Sequence, residues 1–318
     1  MTVPADGLEE LIASELEAPV PAGATLLVER IREQLGSGVR AILFYGSCLR
    51  TGDDQYSLLD FYVLVDDYWR LGTNRLYACL NTLLPPNVYY IEVRDGERSV
   101  RAKYAVVSLA DFARYTSHQA FQPYFWARFA QRCALIYAAD ATAVQAVIAA
   151  VSNAVTTFVR RGLPLVPARC SVEELWTTQL GCSYRAEVRA ERPEVAARLY
   201  AADAQRYERV TQAALLRLPF PASTEVMAGR TWVTARLRRS SRAMAAALWR
   251  IRRWYGKALS LLRILKSAIT HENGVEYAIW KVERQSGMKM DPAWRQKRHR
   301  LLALGEEVWR MYRKGAFR

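Results

Sequence analysis

The sequence is poor in the residues from which proteins build soft-metal sites and disulfide frameworks. It contains 3 histidines and 5 cysteines in 318 residues, and no two cysteines form a CxxC pair. This scarcity argues against a zinc knuckle, a histidine-built metal site and a disulfide framework, and it fits a reducing compartment. With 51% hydrophobic and 24% charged residues, the chain has the composition of a globular protein with a buried core.

Long hydrophobic runs are also lacking. No stretch of about 18 apolar residues occurs, so the sequence predicts no membrane-spanning segment. The most apolar region, Ala143 to Val159, is interrupted by polar residues and is predicted to be a buried helix. The first residues, MTVPADGLEELIASELEAPVP, resemble neither a secretory signal nor an arginine-rich transit peptide. We therefore expect a cytoplasmic protein.

Acidic residues are scarce in the last part of the chain. Residues 228–318 hold 22 of the 45 Lys and Arg residues but only 6 of the 31 Asp and Glu residues, which accounts for the net charge of +14. Between Thr234 and Thr270, large apolar residues are interleaved with basic ones. Such a helix is typical of proteins that lie on anionic membranes. Nucleic-acid binding and a core helix with a basic outer face are the alternatives.

A strand, a turn and a second strand form the most informative motif. The run Ile42 to Tyr45 breaks into Gly46-Ser47, and after a short spacer Asp60 opens the apolar run Phe61 to Val65. The glycine lets backbone N–H groups approach phosphate oxygens, and Ser47 adds a hydroxyl donor. Asp60 supplies a hard oxygen ligand for Mg²⁺. This arrangement indicates a nucleotidyltransferase site, with a hairpin of incidental polar residues as the alternative.

Two basic residues and one acid are further candidates to contact the triphosphate and its metal ion. Arg50 follows Ser47 by three residues and Lys103 lies inside the fourth predicted strand, so each is predicted to neutralise a phosphate of the triphosphate. A solvated surface arginine is the alternative for Arg50. Glu92 on the third predicted strand is the candidate second metal ligand, and a solvent-facing glutamate is its alternative.

Tyr62 occupies the place, two residues after Asp60, where most nucleotidyltransferases carry a second acid. Because side chains alternate along a strand, Asp60, Tyr62 and Asp66 share a face. Asp66 lies about 20 Å further along the strand, so it cannot hold the same ion as Asp60. Asp66 and Asp67 are therefore an acidic pair whose role the pattern leaves open, and capping of the next helix is the alternative.

The order of predicted elements indicates an α/β (α+β) fold with a nucleotidyltransferase-like mixed sheet, a C-terminal helical domain and a basic amphipathic tail. The predicted parts are residues 1–140, 141–227 and 228–318. The predicted strands are Ala41 to Tyr45, Asp60 to Val65, Val88 to Val93 and Val100 to Val107. The predicted helices are Glu9 to Glu17, Ala24 to Leu35, Trp69 to Leu83, Ala143 to Arg160, Ser171 to Arg189 and Pro193 to Leu218. The region from Phe125 to Tyr137 is mixed amphipathic, and no strand is predicted after it.

Three motifs in one order resemble a known family. They are LDFYVLVDDYW (59–69), KYAVVSLADF (103–112) and LPLVPARCSVEELWTTQLGCSYRAEVR (163–189). Together they are similar to the mitochondrial-type phosphatidate cytidylyltransferases, the peripheral CDP-diacylglycerol synthases of the translocator assembly and maintenance type. Gly46 and Ser47 match the family's Gly-Ser loop, and Asp60 matches its strand-leading aspartate. Asp66 and Asp67 match the acidic pair after that strand.

The resemblance implies a Mg²⁺-dependent reaction of CTP with phosphatidic acid that gives CDP-diacylglycerol and pyrophosphate. It implies a peripheral enzyme on the inner face of an anionic membrane, and the lack of a transit peptide suggests a bacterial relative. There are departures, since the loop continues Cys48-Leu49-Arg50 and Ala186-Glu187 replaces a Gly-Asp pair. A nucleotidyltransferase with a nucleic-acid or small-molecule acceptor, and a non-catalytic relative, remain the alternatives.

Overall fold

Helices and strands alternate in the first part of the chain, and helices dominate the rest. The computed structural model describes residues 7–52, 58–71, 74–95, 98–187, 193–270 and 310. The strands are β1 Val39–Tyr45, β2 Leu59–Val65, β3 Asn87–Asp95, β4 Arg98–Ser108, β5 Cys133–Ala138, β6 Arg169–Ser171, β7 Ala222–Met227 and β8 Arg230–Ala235. The helices are α1 Gly7–Leu16, α2 Ala22–Leu35, α3 Ser47–Thr51, α4 Arg75–Leu83, α5 Leu109–Thr116, α6 Trp126–Phe129, α7 Ala141–Gly162, α8 Val172–Arg185, α9 Pro193–Ala201, α10 Ala204–Leu215 and α11 Arg239–Thr270.

The larger sheet is mixed, as predicted. Its five strands lie in the order β3-β4-β2-β1-β5, with β2 and β4 parallel and the other neighbours antiparallel. β2 and its neighbours are apolar at successive positions, which is the pattern of strands whose two faces are both buried. Tyr62 and Leu64 face one core with helices α1, α6 and α7, whereas Phe61 and Val63 face a second core with α2.

The register of the sheet brings four polar or aromatic residues into one row. Tyr45 on β1 is opposite Asp60 on β2, Asp60 is opposite Lys103 on β4, and Lys103 is opposite Tyr90 on β3. Paired residues on neighbouring strands lie on the same face of a sheet. The first strand, the Gly-Ser turn and the Asp60 strand therefore meet near the middle of the sheet.

The prediction that strands end before residue 141 is wrong. A second sheet has the order β6-β8-β7, and β5 occupies the end of the region that was expected to be mixed amphipathic. Ala228 and Gly229 have φ angles of 51° and 72°, so the connection between β7 and β8 turns with two left-handed residues. Burial alternates along β8. The sequence signal that pattern reading passed over is the run of β-branched and aromatic residues from Thr231 to Thr234.

Helix boundaries also differ from the predicted ones. A 3₁₀ turn, Tyr68–Arg70, precedes α4, so the expected helix from Trp69 begins at Arg75. The helix predicted from Pro193 to Leu218 is divided into α9 and α10. The last residues of the helix predicted to reach Arg189 lie outside the described residues.

Helix α7 is buried, as predicted. It is the one candidate in the described residues that is long and apolar enough to cross a membrane, and 61% of its apolar window is buried in the protein. Val151, Val155 and Phe158 face the core that also contains α1, α8 and α10 residues. This core joins residues on both sides of position 140, and the three-part division of the chain stays a prediction.

Helix α11 buries several of its basic side chains and exposes several apolar ones, which does not fit the alternative of a core helix with a basic outer face. Arg252, Lys257 and Lys266 are buried, and the Lys266 Nζ donates to the carbonyl of Pro86 at 2.9 Å. The outward face is largely apolar, although Arg250 and Arg253 are also exposed. We call this exposed set the apolar stripe; it consists of Met244, Ile251, Trp254, Tyr255 and Leu262. Residues 271–309 and 311–318 of the predicted basic region lie outside the described residues.

Candidate active site

Gly46 links β1 to the short helix α3 in a conformation that only glycine adopts easily. Its φ is 95°, and a Cβ at this position would lie 3.3 Å from the Asp60 Oδ2. The backbone of the turn therefore packs directly against the carboxylate. Ser47 begins α3 and is exposed. The structure thus brings together the Gly46-Ser47 turn and Asp60, as the sequence spacing predicts.

Asp60 and Lys103 form the charged centre of the row. The Lys103 Nζ lies 3.9 Å from the Asp60 Oδ1, and the two side chains are 28% and 32% exposed. A partly exposed pair of this kind is open to solvent and available to ligands. Lys103 lies beside the carboxylate that is predicted to hold the metal, where an ammonium group can also meet phosphate oxygens.

Arg50 lies on α3 and is exposed. In the described contacts it is not joined to Asp60 or Lys103.

Glu92 is not brought to Asp60. It lies opposite Arg101, so two strand spacings and two residues along the strand separate it from Asp60, on the order of 12 Å. The Glu92 carboxylate accepts from the Ser99 hydroxyl and from the Tyr90 hydroxyl, which with Arg101 lower its pKa against a small opposing effect of burial. Its side chain is 46% exposed. The position fits the solvent-facing alternative.

The acidic pair after β2 is engaged in structural contacts. Asp66 forms an ion pair with Arg40 at 3.3 Å, at the far end of β2 from Asp60. The Asp67 carboxylate accepts from the Trp69 backbone N–H at 3.1 Å and so caps the 3₁₀ turn. Capping is therefore confirmed for Asp67, although the capped element is the turn and not α4, whose N-cap is Asn74.

Tyr62 is the centre of a buried network that the sequence analysis did not foresee. The Arg128 Nη1 donates to the Tyr62 hydroxyl at 2.7 Å, and the Arg128 Nη2 lies 3.5 Å from the Glu187 Oε2. Arg128 and Arg263 lie over the Tyr124 ring, with guanidinium carbons 4.2 and 4.1 Å from its centroid. We call these five residues the Tyr62 cluster. At the position where a second carboxylate is usual, the structure has a tyrosine whose hydroxyl accepts from a guanidinium group.

The Tyr62 cluster perturbs its own tyrosines. Burial raises the pKa of Tyr62 well above its ordinary value. Burial also raises the pKa of Tyr124, but the charges of Arg128 and Arg263 lower it further and bring it to about 8. Strongly shifted pKa values often mark functional sites. Two members of the cluster were noticed in the sequence, Tyr62 at the place of a second acid and Glu187 as the acid retained in the departure from a Gly-Asp pair, but their connection through Arg128 was not predicted.

Asp60 fits Mg²⁺ as one ligand among several. Mg²⁺ is usually bound by one or two carboxylates together with substrate phosphates, and Asp60 is a partly exposed carboxylate beside an open backbone turn. Among the described residues, no group of three or more His, Cys, Asp or Glu side chains could hold a metal by itself. The ion would therefore depend on the nucleotide for further ligands.

Comparison of the chain with protein-family models gives no match, and comparison with curated proteins gives none at a significant level. Function must therefore be argued from the geometry around Asp60.

Proposed function

We propose that the protein is a nucleotidyltransferase of the phosphatidate cytidylyltransferase type. The observation that carries the proposal is the contact of the Gly46 turn with the Asp60 carboxylate, beside Lys103 in the middle of a mixed sheet. A glycine turn offers backbone donors to phosphates, and a carboxylate opposite it offers a metal ligand. The three motifs that resemble the cytidylyltransferase family supply CTP and phosphatidic acid as the substrates.

In this reaction an oxygen of the phosphatidate phosphate attacks the α-phosphorus of CTP. A new P–O bond forms, the bond to the β-phosphate bridging oxygen breaks, and pyrophosphate leaves with that electron pair. The attacking phosphate is already anionic at neutral pH, so no strong general base is required. Lys103 would neutralise the triphosphate, and Ser47 with the backbone after Gly46 would orient it.

Asp60 is the side chain that would hold Mg²⁺, which supplies charge neutralisation when bound. The structure gives no support to Glu92 as the second protein ligand of Mg²⁺, because strand β4 lies between the strands that carry the two carboxylates. Tyr62 lies two residues along the strand from Asp60, and Arg128 on α6 donates to its hydroxyl. The fixed positive charge of Arg128 would stabilise negative charge on the same face of the sheet.

The exposed side of α11 supports a lipid acceptor. Its apolar stripe is on the same helix as Arg263, which contacts Tyr124 in the Tyr62 cluster. A row of exposed apolar side chains flanked by Arg250 and Arg253 suits the boundary between headgroups and acyl chains. We therefore propose a peripheral enzyme whose helix α11 lies at an anionic membrane surface close to the transfer site.

The acceptor is tested by offering labelled CTP with Mg²⁺ to three acceptors in parallel: phosphatidate vesicles, RNA and glycerol 3-phosphate. We expect label from the cytidylyl group in the lipid fraction only. Label on RNA or on glycerol 3-phosphate, with none on lipid, would contradict the lipid acceptor while leaving nucleotidyl transfer intact. No labelled product with any acceptor would contradict catalysis by this pathway.

A second candidate is a nucleotide-binding protein without turnover. It is favoured by one observation: Tyr62, bonded to Arg128, stands where a second metal-binding carboxylate is usual in nucleotidyltransferases. In that case calorimetry would detect CTP binding that depends on Asp60 and Lys103, while the three-acceptor assay would yield no product. The two measurements together distinguish the candidates.

A further inference from the structure

A second group of polar side chains lies between α6, the end of α7 and α11. We call it the tryptophan–arginine cluster; it consists of Trp126, Arg161, Trp249 and Arg252. The two indole rings meet edge to face at 6.0 Å between centroids. The guanidinium carbon of Arg161 is 5.5 Å from the Trp126 ring centroid, and that of Arg252 is 5.3 Å from the Trp249 ring centroid.

Three N–H groups of this cluster are buried without an acceptor in the described structure. They are the Nε1 atoms of Trp126 and Trp249 and the Nη1 atom of Arg161. Both tryptophans are more than nine-tenths buried. Buried donors are almost always paired in native proteins, because an unpaired one has lost its bond to water. Three unpaired donors on side chains in mutual contact indicate a missing acceptor.

The charge of the cluster leads to the same conclusion. No carboxylate of the described residues pairs with Arg161 or Arg252, whose recorded hydrogen bonds go to the carbonyl oxygens of His118 at 2.6 Å and Phe121 at 2.9 Å. Burial and the charges of Arg252 and Arg160 lower the pKa of Arg161 to about 9. Burial alone lowers the pKa of Arg252 to about 10. Buried cations without a counter-ion are costly, so an anion would stabilise this region.

We propose that the tryptophan–arginine cluster binds the oxyanion of a phosphate monoester. A phosphomonoester carries a charge between about −1.5 and −2 with three terminal oxygens, which matches two guanidinium groups and two indole donors. A carboxylate brings one charge and two oxygens, and would leave part of the cluster unpaired. The ligand is either a soluble phosphate or the headgroup of an anionic lipid, since both present the same group.

The site is separate from the one around Asp60. Trp126 and Arg128 are two residues apart on α6, so they project to opposite sides of that helix, and Arg128 belongs to the Tyr62 cluster. Arg161 is the least buried member of the cluster. Ligand binding here does not depend on nucleotidyl transfer and is tested by a separate measurement.

The test titrates inorganic phosphate into the full-length protein by calorimetry, at constant ionic strength held with chloride. We expect saturable binding that weakens by about tenfold or more in Arg161→Gln and in Arg252→Gln, the loss of one charge-assisted bond. Arg239→Gln is the matched control, since Arg239 is an exposed arginine at the start of the same helix, α11. It should bind like the wild type.

Trp249→Phe replaces the indole by a smaller aromatic ring that lacks the N–H donor, so it decides the result if an arginine variant fails to fold. No saturable binding, or equal binding by wild type, Arg161→Gln and Trp249→Phe, would overturn the proposal. Acetate that binds as tightly as phosphate would overturn the choice of a phosphomonoester.

The source of the phosphate is found by repeating the comparison with vesicles. Vesicles of phosphatidylcholine containing phosphatidate, set against phosphatidylcholine alone, report a lipid headgroup if binding exceeds that of inorganic phosphate and falls in Arg252→Gln. Binding of inorganic phosphate with no preference between the two vesicles identifies a soluble phosphate. Either result requires the tryptophan–arginine cluster to be the binding site.

Discussion

Gly46 and Gly52 flank the short helix α3 and both have positive φ, but only Gly46 faces a functional side chain. A Cβ at Gly46 would lie 3.3 Å from Asp60, whereas a Cβ at Gly52 would meet nothing within 4 Å. The left-handed conformation of Gly52 costs an L-residue about 1–2 kcal/mol, whereas the conformation of Gly46, with φ 95° and ψ −160°, is essentially restricted to glycine. Alanine variants of these two glycines therefore compare backbone strain alone, at Gly52, with strain and crowding of the Asp60 carboxylate, at Gly46.

We predict that Gly52→Ala lowers the free energy of unfolding by about 1 kcal/mol and that Gly46→Ala lowers it further, because its backbone conformation is essentially restricted to glycine. Only Gly46→Ala should also weaken CTP binding, because the new methyl group displaces Asp60. Urea unfolding and calorimetric CTP binding measure the two effects. Equal CTP affinity in both variants would show that the turn does not position the carboxylate.

Tyr124 gives a pH-dependent prediction. Its pKa in the folded protein is about 8, against an ordinary value of 10, because Arg128 and Arg263 outweigh burial and the charge of Glu187. Between these pH values the unfolded chain binds more protons at this position, so the free energy of unfolding rises with pH. The contribution is lost as the pH falls through about 8. Tyr124→Phe should remove this rise.

Urea unfolding of wild type and Tyr124→Phe on both sides of pH 8 measures that difference, and the ultraviolet absorbance of tyrosinate follows the ionisation directly. The control is Tyr255→Phe, an exposed tyrosine on α11. An early tyrosinate signal that persists in Tyr124→Phe would assign the low pKa to another residue.

At the scale of elements, α11 is held close to the end of α8 by a glycine. A Cβ at Gly256 would clash with the carbonyl oxygen of Ala186, next to Glu187 of the Tyr62 cluster. Helix propensity alone would make Gly256→Ala stabilising by up to about 1 kcal/mol. We predict the opposite sign, a loss of about 1–3 kcal/mol from overpacking. Urea unfolding decides, and a more stable variant would contradict the close packing of the two helices.

The apolar stripe of α11 predicts how the protein binds membranes. Trp254 is 62% exposed, and Trp69, which serves as the control, is 55% exposed on another element. Trp254→Ala should lower the affinity for phosphatidate vesicles by about tenfold, because the variant loses part of the free energy gained when one apolar side chain leaves water. Trp69→Ala should leave it unchanged. Flotation with liposomes measures both, and equal losses would remove α11 from the membrane contact.

Sequence reading found the elements whose signals are local. The runs around β1 and β2 predicted the meeting of Gly46 with Asp60, because strand, turn and strand follow one another within a short stretch. The orientation of α11 could not be found in this way. Its basic residues are spaced like those of a surface helix, and their burial depends on distant carbonyl acceptors at Phe121 and Pro86.

At the scale of the whole molecule, the candidate site is assembled from parts of the chain that lie far apart. Asp60 and Lys103 come from the sheet, Arg128 from α6, Glu187 from the end of α8 and Arg263 from α11. The Tyr62 cluster escaped sequence reading because its members are joined only by tertiary packing. A nucleotide bound beside this cluster would lie between the sheet that carries Asp60 and helix α11, the proposed membrane contact.

The most direct measurement compares two carboxylates of the same strand region. Asp60→Asn and Asp66→Asn each remove one negative charge, but only Asp60 faces Gly46, while Asp66 pairs with Arg40. With labelled CTP, Mg²⁺ and phosphatidate vesicles, we predict a loss of lipid-linked CMP by about a hundredfold or more in Asp60→Asn. We predict near-normal formation in Asp66→Asn. Undiminished product in Asp60→Asn, or an equal loss in both, would contradict Asp60 as the centre of the site.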